Sequence, residues 1–317
     1  MPGGSGGGAE AQSRLAAVPD YPITYVKAVT PPNASGLVTQ FATCPPDHQL
    51  VSGGFDTNGN RWTIRASYPS TPRTWVVKAD SVTPAYPNPV GPLTAYVLCA
   101  PESVLPHLMV EYRESSALLE WHGMVWRELT PDCRPDYRAI AGGFEMSHNK
   151  ISLVRSQPNP GNGFRSWIVK AINRDPYQVG RLTAHSVCVQ QDLMTYPQMF
   201  DVAVTGKAGE WITTKTDPCG RSKGSYLLSG GVGTPDPKGY DAGGITIWDH
   251  MRPSPGSVIP AGFNGWSARA KVATGMTPTV HAHALCGNLL GVPAAGGDKL
   301  SGKNPGWGDG MGGGRFK

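Results

Sequence analysis

The sequence is dominated by a unit that occurs three times, and this repeat constrains the fold more than any other feature. Each copy opens with a cysteine, continues through a Gly-Gly pair and a tryptophan, and closes with a second cysteine. The copies span residues 44–99, 133–188 and 219–286. Self-similarity at a nearly constant period is the signature of repeat architectures, so one supersecondary unit must be used three times.

Each copy has the composition of short β-strands joined by turns. The chain contains 41 Gly and 30 Pro among 317 residues, and only 16% of its residues are charged. This composition favours many short strands over long helices. About six segments per copy, such as 48–55 and 75–79, have strand composition, whereas 115–121 is predicted to be a short helix. The sequence therefore predicts an all-β protein with three tandem homologous repeats.

The repeats divide the chain into five segments. They are a Gly-rich N-terminal arm at 1–19, β repeats at 20–105, 106–196 and 197–291, and a Gly-rich C-terminal arm at 292–317. Two architectures fit: a pseudo-threefold body similar to a β-prism, with one sheet per repeat, and three small tandem β-sandwich modules. Short links between the copies favour the pseudo-threefold body. The arms carry too little apolar surface to order themselves, so we expect neighbouring subunits to hold them.

All six cysteines lie in the repeats, at the same two positions of each copy. The repeat favours one disulfide inside each copy, although sequence alone cannot choose a pairing. The predicted bonds are Cys44–Cys99, Cys133–Cys188 and Cys219–Cys286. Disulfides form in oxidising compartments, yet the N-terminus has neither the basic start nor the apolar core of a secretory signal. Assembly inside a cell followed by release through lysis would explain disulfides in a chain without a secretory signal. The alternative is that each copy contains a reduced, buried pair of cysteines.

The tryptophans fall into a repeated and a non-repeated group. Trp75, Trp167 and Trp266 occupy one position in all three copies, which predicts core packing rather than a sugar-stacking platform. We expect five of the other tryptophans to lie at the surface as ligand-binding aromatics, namely Trp62, Trp121, Trp126, Trp248 and Trp307.

Polar residues also recur. Lys78, Lys170 and Arg269 match one another, and we interpret them as a solvated strand face rather than as an anion site. Tyr96, His185 and His283 each precede the closing cysteine by three residues, and His281 lies two residues before His283. That spacing is compatible with half of a metal site. Because copy one has tyrosine there and no carboxylate neighbours the position in sequence, we assign no metal and expect stacked or hydrogen-bonded aromatics.

No catalytic constellation is recognisable, so we predict no catalytic residue, no cofactor and no enzyme activity. Asp56 and Glu145 follow the Gly-Gly-Phe motif in two copies only, and nothing marks them as an acid/base pair. The Gly-Gly pairs precede no helix, so they are not nucleotide loops, and they predict a bulge or a close backbone approach. A net charge of +5 without a basic run indicates no nucleic-acid partner, and no apolar run is long enough to cross a membrane.

The unit Cys…[Leu/Ile]-x-[Ser/Ala]-Gly-Gly-Phe…Ser-x-Pro…Trp-x-Val-x-Ala…Cys resembles repeats of actinobacterial exported proteins and of virion proteins of their tailed phages. Its opening is also somewhat similar to the threefold β-prism repeats of vitelline-membrane-type proteins. Copy three departs from the pattern, with Val232 in place of Phe and His250-Met251-Arg252-Pro253 in place of Ser-x-Pro. The resemblance implies a virion protein with structural rather than catalytic motifs.

The resulting hypothesis is a non-enzymatic structural or adhesion subunit of a tailed-phage virion, of the minor tail or tail-tip kind. It would contact other virion subunits through 1–19 and 292–317. The alternatives are a lectin-like module that binds host-surface glycans and a capsid-surface decoration protein. A hydrolase of cell-wall polymers is the least favoured reading, because no acid/base pair stands out.

Overall fold

The computed structural model describes a defined part of the chain. It comprises residues 24–30, 36–57, 62–81, 91–105, 110–120, 126–207, 211–216, 219, 226–234, 245–251, 266–272 and 279–289. Both predicted arms, residues 235–244, Trp121 and Trp307 lie outside these residues.

The described residues form an all-β structure with six strands per repeat, as predicted. In repeat 1 the strands are β1 (Thr24–Val29), β2 (Leu37–Thr43), β3 (His48–Asp56), β4 (Trp62–Thr71), β5 (Thr74–Ser81) and β6 (Thr94–Pro101). In repeat 2 they are β7 (Val110–Leu119), β8 (Trp126–Leu129), β9 (Tyr137–Met146), β10 (Ile151–Pro158), β11 (Trp167–Asn173) and β12 (Gly180–Gln190). In repeat 3 they are β13 (Met194–Thr205), β14 (Trp211–Lys215), β15 (Tyr226–Gly233), β16 (Ile245–Met251), β17 (Ser267–Val272) and β18 (Thr279–Leu289).

The predicted helix at 115–121 is wrong. Residues 115–119 belong to β7, which pairs with β12 along its whole length, from Val110 opposite Val189 to Leu119 opposite Gly180. Leu119 is buried. Tertiary strand pairing therefore overrides the weak helical preference of this segment.

The strands form three six-stranded antiparallel sheets, and every sheet is shared by two repeats. Sheet I has the order β1-β6-β3-β16-β17-β14, sheet II the order β2-β5-β4-β9-β12-β7, and sheet III the order β13-β18-β15-β10-β11-β8. Each repeat thus contributes three strands to each of two sheets. The expectation of one sheet per repeat is wrong, because half of every sheet comes from another repeat.

One large hydrophobic cluster joins all three repeats. It contains Phe55 and Trp75 of repeat 1, Phe144 and Trp167 of repeat 2, and Val232 of repeat 3. Three tandem sandwich modules would each enclose a core of their own. A shared cluster instead makes each repeat part of its neighbours' core.

The first glycine of each Gly-Gly pair makes room for the repeated tryptophan. A Cβ atom on Gly53, Gly142 or Gly230 would overlap with the indole of Trp75, Trp167 or Trp266, respectively. The three tryptophans are almost fully buried, which confirms the core interpretation. In repeats 1 and 2 the indole N–H donates to a serine, from Trp75 to Ser67 Oγ at 2.9 Å and from Trp167 to Ser156 Oγ at 3.0 Å.

The second glycine lies at the seam between two repeats. A Cβ atom on Gly143 would overlap with the carbonyl oxygen of Ser67 in repeat 1, and one on Gly231 would lie 2.6 Å from Ser156 O in repeat 2. These glycines therefore permit close approach of β4 to β9 and of β10 to β15. The close-approach interpretation of the Gly-Gly pairs is confirmed.

The predicted disulfides Cys44–Cys99, Cys133–Cys188 and Cys219–Cys286 are all present. Each bond ties the segment before a central strand (β3, β9 or β15) to the strand that pairs with it later in the chain (β6, β12 or β18). In each repeat the strand pairing shifts by one residue beside the bond, which leaves Val51, Ile140 and Leu228 as bulge residues. The bulge thus precedes the Gly-Gly pair, and the strand continues through the glycines.

Candidate functional site

A cleft opens on sheet II where repeat 1 meets repeat 2, and we call it the Tyr68 cleft. Its volume is about 370 Å³, which is within the range of small-ligand sites. The lining comes from the end of β4 and the following turn, from β7 and from β12, and consists of Tyr68, Pro69, Ser70, Thr71, Pro72, Tyr112, Arg113, Glu114, His185 and Ser186. Two different repeats therefore build this site.

The centre of the cleft is a stacked pair of aromatic rings. The rings of Tyr68 and His185 lie 4.7 Å apart between centroids, with an angle of 14° between their planes. Tyr68 reaches this position because β4 runs beside β9 at the seam, and His185 lies directly opposite Gly143 in β9. A side chain on Gly143 would push the two repeats apart, so the glycine is a condition for the stack.

His185 is held as a neutral imidazole. Burial lowers the pKa of His185, and the charges of Glu114 and Glu145 oppose that shift only in part. Its Nδ1 atom lies 3.9 Å from the exposed carboxylate of Glu114, and its Nε2 atom is buried without a hydrogen-bond partner. The ring can therefore act as a polar, uncharged group beside Tyr68.

Tyr112 forms a second aromatic wall, anchored across the repeat boundary. Gln49 of repeat 1 donates from Nε2 to the Tyr112 hydroxyl at 2.8 Å and to the carbonyl oxygen of Pro72 at 2.8 Å. Burial raises the pKa of Tyr112, and the hydrogen bond from Gln49 opposes this shift. The hydroxyl therefore stays protonated, and the wall is held rigidly.

The rim of the cleft carries charges of both signs. Arg113 pairs with Glu111, and Arg134 donates to the same carboxylate at 2.7 Å. The exposed Glu114 carboxylate, 3.9 Å from His185 Nδ1, adds an acceptor to the lining. Aromatic walls with a mixed polar rim are suited to an uncharged, hydroxyl-rich ligand that needs both stacking surface and hydrogen bonds.

Lys78 of repeat 1 contacts both the Tyr68 ring and Glu145 of repeat 2. Its Nζ atom lies 2.5 Å from Glu145 Oε1 and 5.5 Å from the ring centroid of Tyr68. Burial alone would lower the pKa of Lys78, but the hydrogen bond and charge of Glu145 raise it overall. Lys78 is partly exposed, which is compatible with the predicted solvated strand face, and it is also an ion-pair partner across two repeats. The side chain of Arg269 lies outside the described part.

The aromatic residues of the Tyr68 cleft are not the tryptophans that were predicted from the sequence to bind a ligand. Trp62 is fully buried and its Nε1 donates to Gly91 O at 2.9 Å, so its assignment to the surface is wrong. The backbones of Trp126 and Trp248 lie in β8 and β16, whereas their side chains are outside the described part. Trp121 and Trp307 are outside it altogether.

The aromatic position before the closing cysteine does stack or hydrogen-bond, as predicted. His185 stacks on Tyr68, and Tyr96 stacks on Tyr25 at 5.1 Å while its hydroxyl donates to Asp56 at 3.3 Å. The only sequence signal for Tyr68 was its place in Ser-x-Pro, at a position that copy two fills with glutamine.

No carboxylate neighbours this position in sequence, but the fold brings one beside it in two of the repeats. Glu114 lies directly opposite His185 across β7 and β12, and Asp201 lies opposite His283 across β13 and β18. The equivalent residue in repeat 1 is Lys27, opposite Tyr96. These pairs are about 70 to 80 residues apart in sequence, so strand pairing alone brings them together.

Comparison with known proteins names no relative. No family model matches the chain, and no curated protein matches it closely enough to indicate one. Among the described residues, no helix is long and apolar enough to span a membrane. The geometry of the body and of the Tyr68 cleft therefore carries the functional argument.

Proposed function

We propose that this chain is a structural and attachment subunit of a tailed-phage virion, of the minor tail or tail-tip kind that its repeat resembles. The observation that carries this proposal is the body itself, in which three repeats share one core and each is closed by its own disulfide. A disulfide in each repeat suits a protein that must persist in an oxidising environment after release from a cell. Interlocked sheets suit a rigid module that bears load.

In this proposal the terminal arms connect the body to other virion subunits. We expect a chain that lacks residues 1–19 and 292–317 to fold but not to enter particles, because it would have lost the arms that bind other virion subunits. Particles from cells that express either the full-length or the shortened chain would be purified and their protein content measured by mass spectrometry.

The full-length chain is the control for incorporation, and circular dichroism with a count of free thiols is the control for folding. Incorporation of the shortened chain at the full-length level would contradict an anchoring role for the arms. Failure of the full-length chain to enter any particle would contradict the virion assignment.

A second function is carbohydrate binding, and the Tyr68 cleft favours it. The stacked Tyr68–His185 pair, the Tyr112 wall and the rim charges of Arg113 and Glu114 together provide the apolar surface and hydrogen-bonding groups that sugar rings need. In this role the cleft would recognise a neutral glycan at the host surface. Attachment and structure would then be two roles of one body.

Substitution of Tyr68 tests this function. Tyr68→Ala removes the centre of the cleft and is expected to reduce binding to a glycan array or to purified host envelopes by about 5- to 30-fold, since losing one stacked aromatic costs about 1 to 2 kcal/mol. Tyr177→Ala is the matched control, because Tyr177 is 88% exposed and lies outside the cleft lining. Equal binding by both variants, or no glycan signal for the wild-type chain, would contradict a lectin-like role.

A further inference from the structure

A cluster of metal-ligating side chains lies on the edge of sheet III, in repeat 3. His281 and His283 project from one face of β18, and Asp201 of β13 lies directly opposite His283. Each of the three offers a ligand atom, and these atoms all lie within 4.8 Å of one another. We call this group the Asp201 cluster.

The distances in the Asp201 cluster are close to those of a coordination sphere. His281 Nδ1 lies 3.0 Å from Asp201 Oδ2, and His283 Nδ1 lies 3.3 Å from Asp201 Oδ1. Ligand atoms bound tetrahedrally to zinc at about 2.0 to 2.1 Å are themselves about 3.3 Å apart. The two imidazole rings stack with centroids 5.9 Å apart, and both contact the Asp201 carboxylate.

His283 supplies an independent indication that this cluster binds a ligand. It is 5% exposed, and neither ring nitrogen has a hydrogen-bond partner. Burying such a group unpaired is costly. The contact of His283 Nδ1 with Asp201 does not have the geometry of a hydrogen bond. A metal ion bound to one ring nitrogen would remove part of the cost of burial.

The local electrostatics favour a neutral imidazole. Burial lowers the pKa of His283 to about 4, Asp201 opposes the shift, and the charges of His281 and Arg155 add to it. A neutral imidazole is the form that binds metal. Arg155 on β10 is a nearby cation, and the charge of Asp201 opposes its effect on His283.

The same positions in the other repeats cannot form this group. Repeat 2 has Glu114 and His185 but Thr183 where repeat 3 has His281. The Thr183 hydroxyl is 2.9 Å from Ser116 Oγ. Repeat 2 therefore provides a carboxylate–histidine pair with one ligand fewer, which serves as an internal control.

We propose that Asp201, His281 and His283 bind one divalent transition-metal ion of the Zn²⁺ class, with a fourth position open to solvent. Two imidazole nitrogens and one carboxylate oxygen suit Zn²⁺ and disfavour Mg²⁺ or Ca²⁺, which prefer all-oxygen sites. The open position follows from the location of β13 at the sheet edge and from Asp201, which is half exposed. The bound ion clamps the edge strand β13 to β18. This proposal does not depend on the proposed function.

The test uses the full-length chain without a polyhistidine tag, stripped with a chelator. Titration calorimetry with Zn²⁺ is expected to give one site per chain, and Co²⁺ is expected to produce the visible absorption of a tetrahedral complex. Asp201→Asn and His281→Gln should each weaken Zn²⁺ binding by more than about tenfold, since even the loss of a group that only orients a ligand costs 10- to 100-fold. Zn²⁺ should also raise the unfolding temperature of the wild-type chain but not of these variants.

His185→Gln is the matched control, and it should leave Zn²⁺ affinity unchanged. Asp201→Asn keeps the shape of the side chain, so folding is preserved and can be checked by the unfolding temperature in chelator. The proposal is overturned if Zn²⁺ shows no saturable binding below millimolar concentration. It is also overturned if both cluster variants bind as the wild-type chain does, or if His185→Gln reduces binding as strongly as they do.

Discussion

Gly142→Ala is expected to destabilise the body by about 3 kcal/mol or more, at the upper end of the cost of overpacking a core. The added methyl group would overlap with the indole of Trp167 and with the carbonyl oxygen of His185. Neither can move aside easily, since Trp167 is fully buried and hydrogen-bonded to Ser156, and the carbonyl belongs to the paired strand β12. Urea denaturation followed by tryptophan fluorescence measures the loss.

Gly161→Ala is the matched control within the same repeat. Gly161 is exposed in a short 3-10 turn, and an added Cβ atom would lie no closer than 3.3 Å to any neighbour. We expect a change of less than about 0.5 kcal/mol. A Gly142→Ala variant as stable as Gly161→Ala would contradict the packing described for the Gly-Gly motif.

The double variant Gly142→Ala/Trp167→Leu identifies the cause of the loss. If the methyl group and the indole compete for one space, the double variant should lose less stability than the sum of the two single variants. The rescue should be partial, because the methyl group would still meet the carbonyl oxygen of His185. Strict additivity would mean that the two sites act independently.

Removing the disulfide of repeat 2 is the second large effect. Cys133→Ser/Cys188→Ser opens a loop with a sequence separation of 55 and is expected to lower the free energy of unfolding by about 4 kcal/mol, mainly by increasing the freedom of the unfolded chain. Both sulfurs lie in a small buried cluster with Tyr137 and Ala139, so the serines also lose apolar burial. Chemical denaturation without reductant measures the difference.

Reduction of the wild-type chain is the companion experiment. Because reductant opens all three bonds, it should destabilise the protein by more than the double serine variant does. The unreduced wild-type chain should show no free thiols, in keeping with the absence of a free cysteine from the described residues. A double variant as stable as wild type would contradict a structural role for the bond.

Much of the fold could be predicted from the repeat alone. Two cysteines at matching positions in each of the three copies predicted the three disulfides. A tryptophan at one matching position in each copy predicted that these tryptophans lie in the core. These predictions succeed because similar local patterns in one chain pack in similar ways, so a structural interpretation of one copy can be checked against the other two. The all-β class followed from short segments and abundant turn residues.

The candidate sites could not be predicted in the same way. Tyr68 meets His185 only because β4 of repeat 1 pairs with β9 of repeat 2, and Asp201 meets His283 only because β13 pairs with β18. The prediction that Trp62 lies at the surface was wrong, because a tryptophan that does not repeat can still be buried. Non-recurrence in sequence says nothing about which side of a sheet a residue occupies.

By itself, the sequence determined the repeat, the strand content, the covalent cross-links and the packing of the three tryptophans, because these depend on local patterns and on identity between copies. Only the tertiary structure decided that each sheet is shared by two repeats. It also decided that one core joins them all, and that the Tyr68 cleft and the Asp201 cluster exist. The physical reason is that strand partners are chosen by burial of a common core, and a one-residue change of register would turn His185 or His283 to the opposite face.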